Sequence, residues 1–203
     1  MKKKTEIILA AGLLLAILMT NSITFIRDGR RLEQLRGSVL RLHILAESDS
    51  ERDQQLKLKV RDALLTSGVL DGADDLKSAE NIASAKLPEI ERIAEDTLRE
   101  NGCSLPVSAE LADVEFDERT YGDITMPAGE YRALRVKIGS AQGHNWWCVM
   151  YPPLCLPAAC EVTDDKEKEC ELFDDDELDI MYHPEKYEVR FAIWDKIKEL
   201  AEE

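Results

Sequence analysis

The chain has 203 residues, with 41 Asp or Glu against 26 Lys or Arg, for a formal net charge of −15. That length can bury a full core without disulfide support, and such an acidic field repels nucleic acid and anionic lipid, which excludes a DNA- or RNA-binding role. Without residues 1–26 the remainder carries −17, the charge of a soluble body that works near a membrane rather than flat against one.

The first residues set the compartment. Lys2, Lys3 and Lys4 precede an apolar run from Ile7 to Met19, extended by Ile23, Phe25 and Ile26. A basic start, an apolar centre and small residues at Thr20 and Ser22 have the form of a signal peptide. About 20 apolar residues also suffice for a membrane anchor. No Ala-x-Ala cleavage site decides between the two, so residues 1–26 are read as a signal peptide or a transmembrane anchor. In both cases the lysines stay inside and everything beyond Arg27 is exported.

Residues 27–37 read as a charged connector of helical character. Ser38–Ala46 alternates, with Leu40, Leu42 and Ile44 on one face and Arg41 and His43 together on the other, which predicts a strand with a buried side. Ser50 is placed as an N-cap, with Glu51 and Asp53 in the first turn, and Leu56, Val60, Ala63 and Leu64 form the apolar stripe of a helix that Gly68 ends. Leu76–Asn101 is helical and divided at Pro88. From Pro106 the period becomes two: Val107, Ala109 and Leu111, then Val114 and Phe116, predict one bent strand or two short ones.

Tyr131–Ile138 places Leu134, Val136 and Ile138 opposite Arg135 and Lys137, and Gly139–Gly143 is the loop after it. Asn145–Tyr151 puts Trp146, Cys148 and Met150 on one face and Trp147, Val149 and Tyr151 on the other. Both faces are apolar, which predicts a central strand covered on each side. The acid run Glu161–Asp179 reads as a loop. Tyr187–Ala192 reads as a last strand and Ile193–Leu200 as a short terminal helix. The fold class is α+β: a single domain with a mixed or antiparallel sheet of about four to six strands and packed helices, preceded by the N-terminal signal or transmembrane helix.

Catalytic constellations are absent from the sequence. It contains no Gly-x-Ser-x-Gly elbow, P-loop, Asp-Thr/Ser-Gly or His-Glu-x-x-His. A calcium loop lacks its ligand spacing, and without a Cys-x-x-Cys a zinc ribbon is a poor reading. His144 lies four residues before Cys148, too far along an extended strand at ~3.3 Å per residue to activate it. No catalytic, cofactor-binding or metal-binding residue is nominated. Five cysteines leave at least one unpaired. Cys148 and Cys155 bracket a Pro-Pro turn and are the candidate disulfide, with Cys160 and Cys170 a second pair. Candidate partner-contact residues are Arg41, His43, Asp49, Arg61, Trp146 and Trp147, because an aromatic beside an arginine is a favoured hot-spot composition.

Several strings resemble the stage II sporulation protein R family. They are Arg41–Ser50 (RLHILAESDS), Asp53-Gln, Leu56–Asp62 (LKLKVRD), Tyr121–Thr125 (YGDIT), Pro127–Tyr131 (PAGEY), Asn145–Val149 (NWWCV) and Pro152–Cys155 (PPLC). The resemblance covers roughly Ser38 to Cys155, here taken as the domain core over 38–155, followed by 156–203 as acidic loop and terminal elements. Glu51 stands where the family usually has Pro, and the stretch beyond Cys155 matches no family pattern. The resemblance implies an exported, non-catalytic signalling protein of endospore formation. Its place is the space between forespore and mother cell, and its partner is a membrane-embedded aspartic protease of the mother cell that processes pro-sigma-E. The alternatives are a secreted hydrolase using Cys148 or Cys155, and an envelope scaffold.

Overall fold

The computed structural model describes residues 2–121, 123–152 and 173–202. In chain order the elements are α1 (Lys2–Arg36), β1 (Leu40–Leu45), α2 (Glu51–Thr66), α3 (Leu76–Ala85), α4 (Leu87–Glu100), β2 (Val107–Phe116), β3 (Arg119–Tyr121), β4 (Ile124–Met126), β5 (Gly129–Ile138), β6 (Asn145–Tyr151), α5 (Asp175–Tyr182), a 3-10 turn (Pro184–Lys186) and α6 (Glu188–Glu202). The class is α+β, with a mixed four-stranded sheet in the order β2-β5-β1-β6 and a separate β3–β4 hairpin. β1 runs parallel to β5 and antiparallel to β6, and β2 runs antiparallel to β5.

Alternation along the strands builds two cores. On one face Leu42 and Ile44 of β1 meet Leu134, Val136 and Ile138 of β5, covered by Leu56, Val60 and Leu64 of α2 and Ile90, Ala94 and Leu98 of α4. On the other face Tyr131, Ala133, Val149 and Phe116 pack beneath Leu32 and Leu35 of α1, Ile124 and Met126 of β4, and residues of α5 and α6. We call these the helix face and the hairpin face. β2 is a single strand rather than two, and its outer edge is blunted by α4. Glu91 accepts from the Ala109 N–H at 2.8 Å and Glu95 from the Val107 N–H at 3.4 Å, which occupies donors that would otherwise invite another strand.

Helix α2 starts as its sequence dictates, with the Ser50 side chain accepting from Asp53 N–H and two acids in the first turn. Three expectations are corrected. β6 is an edge strand, and the centre belongs to β5 and β1, of which β1 is buried along its whole length. The two apolar faces of β6 arise because helices cover one and the β3–β4 hairpin the other. The stretch read as a last strand is the start of α6. Tyr187, Phe191 and Trp194 recur at helical spacing; Tyr187 stacks on Phe191 at 5.3 Å, and Trp194 packs on Phe25 at 5.7 Å. Part of the acid run is α5. Asp174 caps it, accepting from Glu177 N–H at 2.8 Å while Glu177 accepts from Asp174 N–H at 3.0 Å. Acids clustered in a first turn complement the helix dipole. Residues 161–172 of that run lie outside the described residues.

The N-terminal helix exists, and among the described residues no helix is long and apolar enough to cross a membrane. Its last turns, 27–36, are part of the domain. Asp28 is buried and pairs with Arg190, and Arg36 makes a fork to Asp195 at 2.7 and 2.9 Å. The same Arg36 lies over Gly129, whose φ of 134° and closeness to the guanidinium leave no place for a side chain. Tyr131 donates to Pro127 O at 2.6 Å. The Pro-Ala-Gly-Glu-Tyr string is therefore a seat for the end of α1.

Candidate functional site

At the C-terminal end of β1 three segments meet: loop 46–50, the start of α2, and loop 139–144 between β5 and β6. Their backbones are knitted, with Gly143 N–H donating to Ala46 O at 2.9 Å and Gln142 N–H to Glu47 O at 3.2 Å. Gly143 is pressed against the Ser48 backbone so closely that a Cβ would collide. Asp49 accepts from His144 N–H at 2.6 Å and faces His144 Nδ1 at 2.5 Å. These contacts hold the Asp49 carboxyl below the usual carboxylate range.

The six contact candidates divide between the two faces of the sheet. Asp49, Arg61 and Trp146 come together on the helix face. The Arg61 guanidinium lies 4.4 Å over the Trp146 ring and pairs with Asp62 at 2.7 Å. Lys57, buried between them, donates to His144 O at 2.8 Å. Burial pushes its ammonium down, Asp49 pushes it back up, and Arg61 adds to the lowering. Charges here are matched within the protein, which makes a stiff corner.

Arg41, His43 and Trp147 lie on the hairpin face. Arg41 is fully buried, so it reaches no surface. Its Nε donates to Cys148 O at 3.1 Å and one Nη to Tyr121 Oη at 3.0 Å, and its guanidinium stacks 4.3 Å from Phe116 and 4.8 Å from Tyr131. Among the described residues no carboxylate pairs with it; the aromatic faces carry the compensation. His43 is 3 % exposed and stands between Phe116 and Trp147. Its pKa is lowered from 6.5 to about 4, chiefly by burial, with Arg135 and Lys137 contributing to the lowering. Asn145 beside the ring favours the protonated form but stays outside hydrogen-bond geometry. A one-residue alternation placed Arg41 and His43 on one face correctly, but both sides of β1 are covered. That face opens at its rim, at Trp147 on β6 and at Arg135 and Lys137 on β5.

Sequence reasoning missed Arg119, which lies 4.8 Å over the Trp147 ring, and gave no role to Arg135 and Lys137. Cross-strand register is the signal that collects Arg135 and Lys137, whereas Arg119 is delivered by the separate β3–β4 hairpin. Glu110, Arg135, His43 and Trp147 form one row across all four strands.

Among the described residues no cysteine is paired with a histidine as a nucleophile would be. Cys148 is buried and disulfide-bonded, and His144 is engaged by Asp49 rather than by sulfur. Cys155, Cys160 and Cys170 lie outside the described residues, so the pairing expected for Cys148 does too. Cys103 is a buried free thiol. Among the described residues no group of three His, Cys, Asp or Glu side chains is placed to hold a metal ion.

The sequence profile of the family described as stage II sporulation protein R matches residues 36–161. The chain is also 42 % identical over 120 residues to the stage II sporulation protein R of Bacillus subtilis (strain 168), covering 58 % of this chain and 53 % of that protein. The match thus spans about half the length of that relative. No solved structure matches.

Proposed function

The chain belongs to the stage II sporulation protein R family, and from that membership we propose that it is a signalling protein of endospore formation, exported through its N-terminal segment. There it binds a membrane-embedded aspartic protease of the mother cell and turns on processing of pro-sigma-E. The observation that carries the reading is the family match over residues 36–161. The 13-residue core Ile7–Met19 suits the apolar centre of an export signal.

Activation by binding requires only that the active arrangement of the receptor be bound more tightly than the inactive one. Moving a receptor from mostly inactive to mostly active takes roughly 5.5 kcal/mol of differential affinity. A knitted, charge-matched corner and a stiff sheet serve such a role, because little order has to be gained on binding. Burial and disulfide bonding of Cys148 weigh against its use in a hydrolase.

The test is co-expression of this chain, the protease and pro-sigma-E in a non-sporulating host, read by immunoblot. Processing that depends on the chain supports the reading. Processing that proceeds equally without it overturns the reading, and binding with no effect on processing points to an envelope scaffold instead.

A further inference from the structure

The hairpin face is covered over Arg41, Val149 and Tyr131 but opens toward the end of β1. There Arg135 is 34 % and Lys137 32 % exposed at the side chain. Trp147 stands partly open beside them, with the exposed Arg119 stacked on its ring. In a chain of net charge −15, Arg135 and Lys137 on β5 and Arg119 on Trp147 put three cations on one face, and Glu110 is the carboxylate paired with the two on β5.

Two observations suggest what the patch takes. The first is what occupies it now. Glu110 pairs with Lys137 at 2.6 Å and Arg135 at 3.8 Å, and Lys137 holds its carboxyl below the usual range. A carboxylate already seated on this cation pair shows the ligand chemistry that fits it. The second is unspent hydrogen-bonding capacity. Nine buried side-chain polar atoms lack a hydrogen-bond partner among the described residues, and four of them border the open end of this face: both ring nitrogens of His43, Arg135 Nε and Trp147 Nε1. Buried groups left unpaired are costly, so each calls for a reason, and polar groups of a docked segment at this rim would supply one.

We propose that this open end of the hairpin face docks an acidic segment of a protein partner, whose carboxylates pair with Arg135 and Lys137 while an adjoining side chain packs on Trp147. The proposal rests on the reading of the chain as a signal received by binding, and adds the surface and the chemistry of the segment received. A protein segment rather than an anionic bilayer is favoured because three cations cannot offset the long-range repulsion between a lipid surface and so acidic a body. A carboxylate at short range gains charge-assisted hydrogen bonds instead.

The experiment is a fluorescence titration of the full chain with overlapping labelled peptides covering the extracytoplasmic part of the protease. Peptides rich in Asp and Glu are expected to bind, with affinity falling as salt rises. The Arg135→Gln/Lys137→Gln double variant should bind them about tenfold more weakly or worse, and Glu110→Gln several-fold more tightly because its competing carboxylate is gone. Circular dichroism controls for folding, and if the double variant fails to fold, Glu110→Gln decides alone. Absence of acidic-peptide binding, or affinities unchanged by these variants, overturns the proposal. So does binding to phosphatidylglycerol vesicles, rather than peptides, that the double variant abolishes. In the co-expression assay the two ideas separate: processing that needs the chain but tolerates Arg135→Glu/Lys137→Glu removes the patch and keeps the signalling role.

Discussion

Lowering the pH toward 4 forces a charge onto His43 in a place that offers it no counter-ion. Burial is the main reason its folded-state pKa lies at about 4 against an ordinary 6.5, and Arg135 and Lys137 facing it from β5 add to the shift. The unfolded chain takes up this proton near 6.5 and the folded chain only near 4. Between those values the unfolded state binds more protons, so stability rises with pH across the window. The contribution of a neutral His43 is fully present above pH 6.5 and is lost as pH falls to 4. At ~1.4 kcal/mol per pH unit the loss amounts to roughly 3 kcal/mol, a large part of the ~5–15 kcal/mol that holds a domain together. Urea unfolding followed by tryptophan fluorescence at a series of pH values, for the natural chain and for His43→Leu, isolates the effect from carboxylates that titrate in both. The natural chain should lose about 3 kcal/mol more than the variant between pH 7 and 4. Parallel curves would refute the reasoning and mean that His43 is solvated or paired in solution.

Arg41→Lys keeps the charge but loses the fork to Cys148 O and Tyr121 Oη and the planar stacking, so equilibrium unfolding should show a loss of about 2–4 kcal/mol; a loss under about 1 kcal/mol counts against the aromatic box. Gly129→Ala combines a φ of 134° with collision against the Arg36 guanidinium, and should cost at least about 2 kcal/mol, measured as a lowered Tm. Replacing Ser50 by Ala removes one cap of α2 and should cost about 1 kcal/mol, with processing activity otherwise following the folded fraction.

Much of the fold was written in periodicity. Leu40, Leu42 and Ile44 alternate as a strand must, Ser50 caps a helix, and Leu134, Val136 and Ile138 line one face. The failures have physical causes. Residues 187–191 satisfy a period of two and a period of four at once, and only the groove along α1 chooses the helix. The two apolar sides of β6 measure coverage and not position, so an edge strand under a hairpin imitates a central one. Of the contact candidates, Asp49, Arg61 and Trp146 were gathered by the fold into one corner. Arg41 and His43 share a face as their alternation requires, but no single strand reports that the face is roofed. Arg119 came into view only through the β3–β4 hairpin, which delivers it onto Trp147 from a separate sheet.

The proposed signalling role requires that the signal be received from outside the membrane, by binding. The decisive measurement adds the exported protein to spheroplasts of a non-sporulating host that makes the membrane aspartic protease and pro-sigma-E. Cleavage of pro-sigma-E should begin on addition, saturate with protein concentration, and vanish when the protease is inactivated. Absence of cleavage with folded protein outside the membrane, or cleavage that survives inactivation of the protease, would contradict it.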